Sequence, residues 1–152
     1  MADETIFARL KEDHDVHRRL LDLIEKTHGD SDGRQELFCR FKTEVTAHAA
    51  AEEETLYAAM LEDPDLRDKA QHSVAEHKEL EDHFEELEEM DFSSTGWLTR
   101  FRTMKDRYLH HIEEEEDEMF IAAAKGLSDA KETQLARTFE QRKPAELERA
   151  ES

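Results

Sequence analysis

The chain has 152 residues, a formal net charge of −19, 40% charged residues, and only 4 Gly and 2 Pro. That length suits one domain, and few breakers with heavy charge describe an all-helical domain with solvated outer faces. The excess of acid argues against nucleic-acid and anionic-membrane partners, which need basic patches, and it favours cations near the surface. The single cysteine, Cys39, permits no intrachain disulfide; it fits a reducing compartment and is expected to be buried and inert. No basic segment followed by an apolar run opens the chain, and no apolar stretch approaches the ~20 residues of a membrane helix. The expectation is a soluble cytoplasmic protein.

Periodicity and breakers divide the chain into four long helices. The first runs from about Glu4 to His28 on a stripe of Leu10, His14, His17, Leu21 and Ile24, in alternating steps of four and three. Gly29 to Gly33 reads as a loop. The second helix spans Arg34 to Met60, with Phe38, Phe41, Val45, His48, Glu52, Leu56 and Ala59 inward. Asp63-Pro64 signals the start of the third, which runs from about Asp65 to Glu89 on Val74, His77, Leu80, Phe84 and Leu87. Ser94 or Thr95 is expected to cap the fourth. It spans Trp97 to Lys125 on Phe101, Met104, Tyr108, His111, Glu115, Met119 and Ala122, and Gly126 ends it. A shorter fifth helix begins at Ser128, carries Leu135 and Phe139, and stops before Pro144. This gives a domain over residues 1–142 and a flexible tail over 143–152. Short connections make neighbours antiparallel, so the fold class is all-α: an up-down-up-down four-helix bundle with a short C-terminal fifth helix.

One pattern is stated twice. His48-x-x-x-Glu52 recurs as His111-x-x-x-Glu115, 63 residues further on, and a lone His precedes each by 34 residues, His14 and His77. Phe38 with Phe101 and Leu21 with Phe84 keep the same offset, as in a duplicated unit. At 1.5 Å per residue, His14 and His48 both lie about 21 Å from one end of the bundle, and the same count holds for His77 and His111. Residues four apart share a helix face. Two buried carboxylates among four imidazoles are costly without partners. Two divalent ions supply the missing positive charge, each with two His, while Glu52 and Glu115 bridge them beside an oxygen from water. Mixed N and O donors suit Fe, Mn or Zn, and disfavour thiolate copper and all-oxygen calcium sites.

The rival reading is a metal-free bundle with hydrogen-bonded core histidines and solvated glutamates. Six positions agreeing in spacing, offset and face weigh against it, the His more than the Glu, which fall in acidic runs. Glu53, Glu54, Glu113, Glu114 and Glu116 read as solvated, with Glu116 replacing Glu115 if the fourth helix is locally rotated. His17 reads first as a packed core residue, and second as a hydrogen-bond donor beside the site or an occasional ligand. His28, His72, His83 and His110 read as surface residues. Tyr108 faces inward, either to pack or to donate to an oxygen on the metal.

Asp13-His14, His48 to Glu53, Glu76-His77 and His111 to Glu116, within about residues 5–125, resemble the hemerythrin-like family of HHE cation-binding domains. The resemblance implies a non-haem di-iron centre in a four-helix bundle: two Fe ions with an oxo or hydroxo bridge, held by His14, His48, Glu52, His77, His111 and Glu115. It implies O2, H2O2 or NO as the small-molecule ligand. Ferritin-like bundles use Glu-x-x-His; the repeat here has the reverse order and a wider spacing, which sets them aside. Oxygen-carrying members have His-x-x-x-His on the third helix, whereas the residue four before His77 is Ser73. Losing that His leaves two nearly equivalent, more open ions. This favours peroxide or NO detoxification chemistry over reversible oxygen carriage, with iron or oxygen sensing, or O2 storage without turnover, as the alternative.

Overall fold

The computed structural model describes residues 4–28 and 32–151, and every regular element within them is helical. These are α1 (Ile6–Glu25), α2 (Asp32–Glu52), α3 (Ala58–Leu61), α4 (Arg67–Glu89), α5 (Thr95–Glu114), α6 (Phe120–Gly126) and α7 (Asp129–Glu151). Two π-helical turns, Glu53–Tyr57 and Glu115–Met119, fuse α2 to α3 and α5 to α6. The bundle therefore consists of four rods, with α7 packed along α1 and α2. None of the described helices is long and apolar enough to cross a membrane.

Local chemistry accounts for the ends. The Thr5 hydroxyl accepts the Ala8 N–H at 3.2 Å and starts α1. Ser94 occupies the N-cap of α5, but its hydroxyl makes no capping bond. Asp63 does not cap the third rod as expected; it closes a turn. Its carboxylate accepts the Asp65 N–H, and its carbonyl accepts Leu66 and Arg67 N–H, each at 2.9 Å, so α4 begins only at Arg67.

Two apolar clusters fill the interior. One holds Ile6, Leu10, Leu56, Met60, Phe120 and Phe139; the other holds Leu21, Ile24, Phe38, Phe41, Phe84, Trp97 and Phe101. Arg34 closes the second end. Fully buried, it donates to Thr27 Oγ1 at 2.8 Å, to Thr27 O at 2.9 Å and to Phe92 O at 2.6 Å, and its guanidinium lies 5.1 Å from the centre of the Trp97 ring. The histidines and glutamates of the repeat lie in a polar layer between the clusters.

Three expectations are corrected. Each π-turn inserts one residue into the helical phase, so the stripe slips by one position beyond it: Met60 and Ala123 are buried, whereas Ala59 and Ala122 are half-buried. Cys39 is exposed, on the outer face of α2 beside the inward Phe38. The fifth helix is not short: α7 has 23 residues and continues through Pro144 into the segment expected to be a tail. Proline removes one backbone donor, but the inward face persists on both sides of it. Lys143 reaches Asp13 at 2.8 Å and Glu44 at 3.6 Å, and Glu146 is buried with Arg149 at 2.6 Å.

Candidate metal centre

The four rods bring His14, His48, Glu52, His77, His111 and Glu115 to one place, none more than 7% exposed. Donor atoms of His14, His48, Glu52 and Glu115 lie within 4.8 Å of one another, and so do those of His77, His111 and Glu115. Glu115 spans the two groups. Its Oε1 is 3.4 Å from His14 Nε2, and its Oε2 is 3.1 Å from His111 Nε2. Glu52 Oε1 lies between His48 Nε2 at 3.7 Å and His77 Nε2 at 3.4 Å. Glu116 turns outward from this cluster, so the inward acid of α5 and its π-turn is Glu115.

Outer carboxylates orient the rings. His48 Nδ1 meets Asp13 Oδ2, His111 Nδ1 meets Glu76 Oε1, and His14 Nδ1 meets Glu116 Oε2, each at 2.7 Å. Glu53 Oε2 faces His77 Nδ1 at 3.7 Å. An acceptor on Nδ1 holds that nitrogen as the N–H and leaves Nε2 as a lone-pair donor. These four acids obey the 63-residue offset themselves, Asp13 with Glu76 and Glu53 with Glu116. The sequence reading missed the role of Asp13, Glu76 and Glu116 and took Glu116 as solvated, whereas Glu53, 38% exposed and beyond hydrogen-bond distance of His77, is largely solvated as expected. The signal was present in the offset, but acidic runs surround two of the four. Asp13 is held in turn by Arg9 at 2.7 Å and Lys143 at 2.8 Å, while Glu116 takes Arg18 at 3.0 Å.

Two tyrosines complete the wall. Tyr57, which the sequence reading passed over, donates to Glu115 Oε2 at 2.6 Å. The extra residue of the first π-turn carries it inward. Tyr108 faces inward as expected, but its hydroxyl meets His17 Nδ1 at 2.7 Å. His17 is fully buried, with its ring 5.1 Å from that of His48, and its donor atoms are not among the clustered ones. His28, His72 and His110 are exposed and His83 is half-buried.

The donor set tests well for a metal pair. Nε2 of His14 and His48, both oxygens of Glu52, and Glu115 Oε1 are buried without a hydrogen bond. Such atoms are rare in native interiors and mark a missing partner. Burial and the charge of Glu115 push the Glu52 carboxyl well above its ordinary range. Burial also opposes ionisation of Glu115, but His111 and His14 overcome it and hold Glu115 well below. Metal-free, the two carboxylates are thus driven apart in acidity, Glu52 towards its neutral form and Glu115 towards its charged one. Burial lowers His48 to about 4 and His17 well below its usual value. Burial opposes charge on His14 and His111 too, yet the carboxylates around them raise both to about 9.

Fold and centre together define the class: a helical bundle whose core carries a buried His/Glu cluster of metal-binding character. The model of the hemerythrin HHE cation-binding domain matches residues 5–123, and the chain belongs to that family. The crystal structure of a hemerythrin HHE cation-binding domain-containing protein from Mycobacterium kansasii shares the fold. Its TM-score is 0.85 at 24% identity, over 98% of this chain and 90% of that one. A DNA nickase from Nostoc sp. (strain PCC 7120) is 30% identical over 105 residues, which are 69% of this chain but only 30% of that protein.

Proposed function

We propose that this is a non-haem di-iron protein that consumes peroxide, with O2 and NO as further ligands of the same centre. The carrying observation is the set of buried, unpartnered donor atoms on His14, His48, Glu52 and Glu115, with outer carboxylates fixing the opposite ring nitrogens. His14 and His48 would hold one ion, His77 and His111 the other, with Glu52 and Glu115 shared. Oxygen and nitrogen donors without thiolate suit iron, and Mn and Zn fit the same set. The bound pair would supply two-electron redox chemistry at neutral pH. Disproportionation, in which one peroxide is oxidised to dioxygen and another reduced to water, needs no external electron donor. The chain's own residues hold the imidazoles of His14, His48 and His111 in one tautomer and hold Glu115 through the Tyr57 hydroxyl. DNA cleavage is not carried over from the nickase, because the shared segment is a minor part of that protein and a net charge of −19 repels a polyanion.

The test is peroxide loss by anaerobically iron-loaded protein, compared with His48→Ala. Rapid loss by the parent, reduced by about two orders of magnitude or more in the variant, is expected. Equal loss from both would discard turnover at this centre, and a folded parent that takes up no iron would discard the metal site.

A further inference from the structure

The two halves of the centre are walled differently. Around His14 and His48 the space is filled. Phe120 stacks on His14 with ring centres 6.1 Å apart, Phe139 of α7 meets His48 edge-on at 5.7 Å, and His17 lies against His48 at 5.1 Å. On the other side a cavity of about 300 Å³ runs from exposed His72, past Glu76 and Ser73, to His111, Glu115 and Met119. A second, of about 100 Å³, touches His77.

The internal repeat explains the difference. Ser73 occupies the register that Leu10 occupies 63 residues earlier. Leu10 is fully buried in the first apolar cluster; a hydroxymethyl in its place leaves the second half unfilled. The Ser73 hydroxyl lies beside the Tyr57 hydroxyl and donates only weakly, to Met119 Sδ at 3.8 Å. It can therefore hydrogen-bond a small polar guest. The cavity's wall also includes Asp68, Glu114 and Glu118 against a single Lys69. That sign of charge disfavours anions and passes neutral molecules.

We propose that the cavity opened by Ser73 is the route and binding place of the exogenous ligand, a small neutral molecule such as H2O2 or NO. The ligand meets the His77/His111 half of the centre, and the His14/His48 half is sealed. This rests on the di-iron reading and deepens it, because it makes two ions with equal His counts unequal in access.

The test is NO association with the anaerobic diferrous protein, followed by stopped-flow absorption, with iron measured on the same samples. Ser73→Leu places at this register the side chain that the first half already accepts. It is expected to keep its iron and to slow NO association by about tenfold or more. Association at the parent rate with iron retained overturns the proposal. An NO-soaked crystal of the iron-loaded parent gives a second readout that needs no variant. Ligand on the ion between His77 and His111 supports the proposal, and ligand on the ion between His14 and His48 overturns it. A parent that binds no iron removes the di-iron reading and this inference together. Loss of the inference alone is recognised by full iron with NO association indifferent to Ser73.

Discussion

A carboxylate on the outer nitrogen decides what His14, His48 and His111 can do. Asp13 accepts from His48 Nδ1 while Arg9 and Lys143 hold Asp13 in place. Burial alone would raise that carboxyl, but His48 and Lys143 keep it well below the usual range. Asp13→Asn keeps the shape and removes the charge. It is expected to weaken metal binding about 10- to 100-fold, read by competition with a chelator, and Glu76→Gln should do the same through His111. The histidine charges set the pH behaviour. His14 and His111 titrate at about 9 in the metal-free fold, against an ordinary 6.5 for histidine. Their protonation stabilises that fold fully below about pH 6.5, and the contribution is lost as pH rises through 9. Metal-bound imidazoles are neutral throughout. The stability gained on metal loading should therefore grow between pH 6.5 and 9. Melting both forms across that interval measures it, and a gap that narrows with rising pH contradicts the assignment.

Among the elements, α7 and the two π-turns do what the simple four-rod picture does not require. α7 sets Phe139 against His48 and Lys143 against Asp13, so it walls and supports the first half of the centre. Ending the chain after Arg142 removes Lys143 and Glu146. It should cost about 1–3 kcal/mol, several degrees of melting temperature, and weaken metal binding through His48. A truncated chain that melts with the full one would mean that residues 143–152 contribute nothing. The rods, their order and the inward His were legible, because apolar steps of three and four report one helix face wherever the helix packs. The π-turns were not. An inserted residue leaves composition and spacing unchanged on either side, so the expected stripe ran on through Ala59 and Ala122 when the structure buries Met60 and Ala123. The extent of α7 was misread for a related reason. Pro144 is a local stop signal, whereas the partners that hold the helix together, Asp13 and Glu44, lie on other elements.

For the whole molecule, a polar layer divides two apolar clusters, and buried unpartnered atoms in that layer make the metal-free fold less stable than its packing would allow. Loading with metal well above its dissociation constant is expected to raise the melting temperature on the order of 10 °C. Differential scanning calorimetry with and without a chelator checks this, and coincident melts would favour a purely structural bundle. By itself the sequence determined the helical class, the duplication, and six inward-facing residues that share one level, because periodicity and helical rise are properties of a single rod. Only the tertiary structure decided which acid answers which imidazole, where the stripe slips, how far α7 runs and which half of the centre is open. Those outcomes depend on atoms far apart in the chain, Asp13 on His48 and His14 on Glu116, and on whether Leu10 or Ser73 fills a given register. Such contacts exist only once the rods pack.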